Sequence, residues 1–97
     1  MYSEELILEK GMDLRARAAA FFVQKADEFK SVIWIENEKR RVNAKSLLGI
    51  LSLGISEKDK IKIIADGTDE KSAVQDLVKF ISSGFTLASD YERTFDT

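Results

Sequence analysis

Ser46 is the residue whose type and position offer the clearest chemistry in this chain. It follows Lys45 and begins the apolar run 46–53. If that run is a helix, Ser46 is its N-cap, where unpaired backbone N–H groups and the helix dipole would stabilise an anion such as a phosphate. The residue type therefore leaves two roles open: a phosphorylation site, or a structural cap that contributes about 1 kcal/mol.

Two arginines, Arg15 and Arg17, form a second candidate site. A cation at the start of a helix opposes the helix dipole, so a binding role would explain why both are present there. Their planar guanidinium groups could hold an anion, either a phosphate on Ser46 or an acidic partner. The alternative is that both are solvated surface residues whose positive charge is partly balanced by the negative charge of Asp13.

The absence of two residue types excludes much other chemistry. The sequence contains no His and no Cys, which removes the commonest general base, the commonest zinc ligand, thiolate nucleophiles and disulfides. The acidic pairs Asp27-Glu28 and Asp69-Glu70 have no second carboxylate placed across a cleft. We therefore predict a protein that is not an enzyme and uses no metal or cofactor.

Composition limits the remaining classes. Ninety-seven residues fit one small domain, and 15 basic against 17 acidic residues leave a net charge of −2, which gives no general reason to bind nucleic acid or a membrane surface directly. No apolar run approaches the ~18 residues of a membrane span. The expected location is the cytoplasm.

The hydrophobic pattern predicts seven elements in the order β-α-β-β-α-β-α. Strands are predicted over 3–9, 31–37 and 60–67, and the charged segment 39–43 is predicted to pair back through a turn at Asn37. This order is typical of one antiparallel or mixed sheet with its helices on a single face.

Three helices are predicted between these strands. The first begins near residue 14; the second begins at Ser46, whose capping ability favours a helix over a buried strand; the third follows Thr68 or Asp69 and ends at Gly84. The predicted core residues are Ala19, Phe22, Val23, Ala26 and Phe29 in the first helical stretch and Ala73, Val74, Leu77, Val78 and Ile81 in the third helix.

Three further features are interpreted as structural. Trp34 and the phenylalanines are assigned to the core because no basic groove accompanies them. The basic run 39–41 is assigned to a solvated face, since Glu36 and Glu38 lie beside it. The segment 85–97 has no core pattern and a net charge of −2, although its apolar residues could pack onto the domain.

Two stretches, 13–29 and 42–55, resemble the HPr family of small phosphocarriers in the bacterial sugar phosphotransferase system. The family signature Gly-Leu-His-Ala-Arg-Pro-Ala-Ala is matched here by DLRARAAA, which places Arg15 at the position of the family's histidine. The second stretch is similar to the family's regulatory serine motif and places Ser46 at the phosphorylated position. The resemblance spans about 3–84.

The replaced histidine changes what the resemblance implies. A guanidinium stays protonated, with a pKa above about 12, and offers no lone pair, so Arg15 cannot carry phosphate as a histidine does. Asp13 and Ala18 also depart from the signature. The chain therefore resembles the Crh-like branch of the family, which lacks the active-site histidine and keeps the regulatory serine.

The resemblance implies an α+β open-faced sandwich over 1–84, with a four-stranded antiparallel sheet, three helices on one face and an extension over 85–97. It implies a non-catalytic regulator that signals carbon status when Ser46 is phosphorylated by an HPr kinase/phosphorylase, and that binds a LacI-type catabolite control repressor. The alternative is a constitutive HPr-fold module that docks a metabolic enzyme or a phosphotransferase-related protein without modification. The residues predicted to contact partners are Arg15, Arg17, Ala20, Phe21, Gln24, Lys45, Leu47, Leu48 and Leu51.

Overall fold

Four strands and three helices follow one another in the predicted order. The structure, a computed structural model, describes residues 1–9 and 16–84. The predictions for Asp13, Arg15 and the segment 85–97 lie outside these residues. The elements are β1 (Tyr2–Ile7), α1 (Ala16–Ala26), β2 (Val32–Glu36), β3 (Arg41–Asn43), α2 (Leu47–Leu53), β4 (Lys60–Asp66) and α3 (Glu70–Ser82).

The four strands form one antiparallel sheet in the order β1-β4-β2-β3. The central strand β4 pairs Ile63 with Glu4 on one side and with Ile35 on the other. Ile61, Ile63 and Ala65 are buried, as their alternation with Lys60 and Lys62 predicts. The antiparallel sheet implied by the family resemblance is confirmed.

The core lies between this sheet and the three helices. α1 buries Ala19, Phe22 and Ala26, as predicted, and its Phe22 ring lies 6.5 Å from the ring of Phe80 in α3. Phe80 is buried although the predicted apolar stripe omitted it. The α3 residues Ala73, Val74, Leu77 and Ile81 are buried, while Val23, Phe29 and Val78 are partly buried against the same core.

Trp34 corrects one sequence interpretation. Successive side chains of a strand point to opposite sides, so Trp34 faces away from the side on which Ile33 and Ile35 are buried. It is only half-buried, and the Arg41 guanidinium lies 5.6 Å from its ring centroid. The assignment of Trp34 to the core was wrong, because its side chain lies on the outer side of the sheet and the core lies on the side of Ile33 and Ile35.

The β2–β3 hairpin confirms the predicted turn at Asn37. The side-chain oxygen of Asn37 accepts hydrogen bonds from the backbone N–H groups of Lys39 and Arg40 at 2.9 and 3.1 Å. The basic residues of this hairpin are exposed, as predicted, and Arg41 forms an ion pair with Glu36 at 2.9 Å.

Asp69 joins the start of α3 to the start of β2. Its carboxylate accepts hydrogen bonds from the backbone N–H groups of Lys30 (2.8 Å) and Ser31 (2.9 Å) and from the Ser31 hydroxyl (2.5 Å). Asp69 was predicted as a helix cap, and it occupies the N-cap position, but its side chain makes no capping hydrogen bond. The Ser31 hydroxyl and these N–H groups lower the pKa of Asp69 from 3.8 to about 2.

Because the folded-state pKa of Asp69 lies below its unfolded value, its contribution to stability is present above about pH 4 and is lost as the pH falls towards 2. Asp69→Asn is expected to lower the melting temperature at neutral pH, since an amide has one acceptor oxygen for three donors. Thermal unfolding followed by circular dichroism should show the difference in melting temperature between wild type and variant shrinking as the pH falls from about 4 towards 2.

The matched control is Asp27→Asn, which changes an exposed aspartate just past the end of α1. This variant should track the wild type at every pH. A melting-temperature difference for Asp69→Asn that stays constant between about pH 4 and pH 2 would contradict the assigned role of its carboxylate.

Candidate functional site

Ser46 occupies the N-cap of α2, as predicted. The turn before it is held by Asn43, whose side-chain oxygen accepts a hydrogen bond from Lys45 N–H (2.8 Å) and whose carbonyl oxygen accepts one from Ser46 N–H (3.0 Å). Ser46 has an extended backbone, with φ −108° and ψ 111°, and its hydroxyl oxygen accepts a hydrogen bond from Gly49 N–H at 3.0 Å. Asn43 was not among the predicted site residues, although asparagine is a residue type that favours such turns.

Gly49 leaves space beside the Ser46 hydroxyl. A Cβ added at Gly49 would lie 3.2 Å from the Ser46 Oγ and 3.3 Å from the Val42 Cβ. A side chain there would press against both neighbours, so glycine keeps the hydroxyl in contact with the first turn of α2. Ser46 itself is half-buried.

Lys45, which precedes Ser46, directs its side chain to the backbone after α1. Its ammonium group donates a hydrogen bond to the carbonyl oxygen of Phe29, at 2.7 Å. The cation next to Ser46 in sequence is therefore held against the segment that follows α1. This contact links the end of α1 to the start of α2, and it places a half-buried positive charge one residue before Ser46.

The leucines of α2 form an apolar surface, which we call the leucine patch: Leu47, Leu48 and Leu51. Their exposed fractions are 39%, 80% and 38%. The core contacts of α2 come instead from Ile50 and Leu53. The three leucines predicted to contact partners are therefore exposed rather than buried in the core with Ile50 and Leu53.

The predicted residues of α1 lie on the helix that packs against α2. Arg17 and Gln24 are exposed, whereas Ala20 and Phe21 are half-buried. Spacings of three, four and seven residues bring these four side chains to one side of the helix. α1 carries two cations, Arg17 and Lys25, and no acidic residue. The Lys25 ammonium is paired with Glu28 at 3.5 Å, just past the end of α1. The structure thus places α1, with Arg17 and Lys25, against the helix that carries the leucine patch.

Among residues 1–9 and 16–84, no group of three or more His, Cys, Asp or Glu side chains is placed to hold a metal ion. No helix within those ranges is long and apolar enough to cross a membrane.

Several known proteins are similar to this chain. The family model described as the PTS HPr component phosphorylation site matches residues 2–83. The HPr-like protein Crh of Halalkalibacterium halodurans is 41% identical over 81 residues, which cover 84% of this chain and 96% of that protein. The crystal structure of HPr-C-His from Thermoanaerobacter tengcongensis has a TM-score of 0.84 and 43% identity, covering 89% of this chain and 97% of that one. The crystal structure of Bacillus subtilis Crh, a dimer with a swapped domain, has a TM-score of 0.69 and 36% identity, covering 81% and 93%.

The sheet order, the three helices on one face and these similar structures define an HPr-like open-faced α+β sandwich. The chain belongs to the HPr family of the phosphotransferase system, and Crh proteins are among its relatives. It contains no histidine, so it has no residue that could carry phosphate on an imidazole nitrogen.

Proposed function

We propose that this chain is a Crh-like regulatory protein of carbon catabolite repression, switched by phosphorylation of Ser46 by an HPr kinase/phosphorylase. The observation that carries the proposal is the position of Ser46: a helix N-cap directly beside the exposed leucine patch, in a family whose model is described by a phosphorylation site. The missing histidine argues against the carrier role and leaves the serine as the candidate for modification.

The proposed partner of the phosphorylated form is a LacI-type catabolite control repressor in the cytoplasm. A phosphate adds a charge of about −1.5 to −2 and three acceptor oxygens at the edge of the leucine patch. Such a group can pair with arginines of a partner while the leucines are buried against it. No cofactor is needed for this role.

The test is incubation of the purified chain with an HPr kinase/phosphorylase and ATP, followed by intact-mass measurement and peptide mapping. The expected result is the gain of one phosphate at Ser46. Ser46→Ala should gain none, and Ser52→Ala, which removes the hydroxyl of another α2 serine, should behave as the wild type. Failure of the wild type to gain a phosphate at Ser46 would overturn the proposal.

A second candidate function is constitutive docking, and the exposure of Leu48 before any modification favours it. Such a module would use the leucine patch and Arg17 to bind a metabolic enzyme or a phosphotransferase-related protein. Pull-down from extract with wild type and Ser46→Ala separates the two functions. Equal recovery of the same partner by both would support constitutive docking, whereas recovery by the phosphorylated wild type alone would support the switch.

Restoring a histidine tests whether only the nucleophile was lost from the carrier site. Arg15→His should accept phosphate from phosphoenolpyruvate through Enzyme I about 100-fold more slowly than an ordinary HPr, because Asp13 and Ala18 depart from the family signature on both sides of position 15 and misplacement by about 1 Å can cost that much. The readout is radiolabelled phosphate transfer, with an ordinary HPr as reference. Transfer at the reference rate would contradict this expectation. It would show that the residues around position 15 still place a histidine as a phosphocarrier requires.

A further inference from the structure

The segment 85–97 lies beyond the family match, which ends at residue 83. It combines two properties that suit an intramolecular ligand. Three acidic residues against one arginine give it a net charge of −2, and Leu87, Tyr91 and Phe95 recur every four residues, a spacing that would put all three on one side of an extended chain. An acidic peptide with an apolar side would complement a surface that is apolar and basic.

The leucine patch and the adjacent helix α1 are such a surface. Leu48 is the most exposed side chain of the patch, at 80%. Between Ala16 and Ala26, α1 contributes the positive charges of Arg17 and Lys25, and the Lys25 ammonium forms an ion pair with Glu28 at 3.5 Å. α2 adds no charged residue. The apolar surface is therefore matched to Leu87, Tyr91 and Phe95, and the positive charge of Arg17 to the acidic residues of the segment.

The segment also begins close enough to reach this surface. The ring of Phe80, in the last turn-and-a-half of α3, lies 6.5 Å from the ring of Phe22 in α1, so α3 ends beside α1. Gly84 follows with φ +72°, a left-handed conformation that turns the chain away from the helix axis. The path from α3 across α1 to α2 crosses two helix spacings, which amount to about 20 Å. Thirteen extended residues span up to about 43 Å, so the segment 85–97 is long enough to reach the leucine patch.

We propose that residues 85–97 dock on the leucine patch and α1 of the same molecule. Leu87, Tyr91 and Phe95 cover the leucines, while the acidic residues face the cations of α1. The segment then competes with any partner that needs the patch. On the proposed function, phosphorylation of Ser46 places negative charge next to the docked acidic segment, repels it and uncovers the patch.

Paramagnetic relaxation in the full-length chain tests the docking directly. The sequence contains no cysteine, so Thr94→Cys carries a single nitroxide label. The label should reduce the amide peak intensities of Leu47, Leu48 and Leu51, and should spare Ser3 and Glu5, which lie on the exposed side of β1. Adding Leu87→Ser, Tyr91→Ser and Phe95→Ser to the labelled chain should restore the α2 intensities.

Two outcomes would overturn the proposal: no loss of intensity at the leucine patch, or a loss that the three serine substitutions leave unchanged. A mixture of unlabelled ¹⁵N protein and nitroxide-labelled ¹⁴N protein identifies the molecule that supplies the segment. If the leucine-patch peaks of the unlabelled ¹⁵N protein lose as much intensity in this mixture as in the singly labelled chain, the segment docks on a second copy and not on its own molecule.

These measurements use unmodified protein, so a negative docking result does not contradict the phosphorylation of Ser46. In the same way, absence of phosphorylation at Ser46 does not contradict the docking. The regulatory step has its own readout. After kinase treatment, the labelled chain should regain the α2 intensities. Persistent loss of intensity in the phosphorylated chain would overturn the release of the segment while retaining its docking.

Discussion

If the proposed switch operates, Leu48→Ala is expected to weaken binding of the Ser46-phosphorylated chain to the proposed repressor partner by about 30-fold or more, because truncating a hot-spot residue costs about 2 kcal/mol or more. Leu48 is 80% exposed, so the fold gains little from it. A partner that buries the leucine patch would remove most of that surface from water. Isothermal titration of the purified repressor with the phosphorylated variant measures the loss.

Val32→Ala is the matched control for this prediction. Val32 is also an exposed aliphatic residue, at 52%, but it starts β2 on the same outer side of the sheet as Trp34. Both variants should melt close to the wild type. Binding weakened equally by Val32→Ala, or left unchanged by Leu48→Ala, would place the docking surface elsewhere.

Local sequence rules predicted the elements and the start of the candidate site. Ser46 was recognisable because serine before an apolar run is a helix cap, a preference that depends on the two or three residues that follow. Ile61 and Ile63 were recognisable as core because alternation within one strand assigns the buried side. Both inferences need only near neighbours in sequence, and the structure confirms both.

Contacts between distant residues were not predictable in the same way. Asp69 binds Ser31 from 38 positions away, and Lys45 binds the Phe29 carbonyl from 16 positions away. Both side chains have several possible partners in an unfolded chain, and only the packing of α1, α2 and α3 on one sheet selects among them. Trp34 was misassigned for a related reason: its residue type favours burial, but the register of β2 directs it outward.

These long-range contacts also connect the site to the rest of the fold. The segment between α1 and β2 is held from one side by Lys45, through the Phe29 carbonyl, and from the other by Asp69, through Lys30 and Ser31. Lys45 directly precedes the serine proposed as the switch. The position of the Lys45 ammonium group therefore depends on the segment between α1 and β2, which Asp69 at the start of α3 also holds in place.

Gly67→Ala is expected to destabilise the fold by about 3 kcal/mol, lowering the melting temperature by more than about 10 °C, through overpacking and the loss of the hydrogen bonds that Ser31 makes. A Cβ at residue 67 would lie 2.6 Å from the Ser31 Oγ and 2.7 Å from the Ser31 Cα. The second of these atoms belongs to the backbone, so a rotamer change cannot relieve the contact. Ser31 would have to move away from the Asp69 carboxylate, which accepts hydrogen bonds from its N–H and hydroxyl groups.

Gly54→Ala separates this steric effect from the general cost of replacing a glycine. Gly54 has φ +62° at the end of α2, and an added Cβ would have no neighbour within 4 Å. Alanine there pays only for the left-handed conformation, about 1 kcal/mol, and should lower the melting temperature by about 4–8 °C. Differential scanning calorimetry of the two variants and wild type measures both shifts. Gly67 itself has φ +157°, so part of its shift is also conformational. Equal shifts would contradict a steric contribution from the close approach of Gly67 to Ser31, whereas the larger shift expected for Gly67→Ala reports that approach together with the different backbone conformation of Gly67.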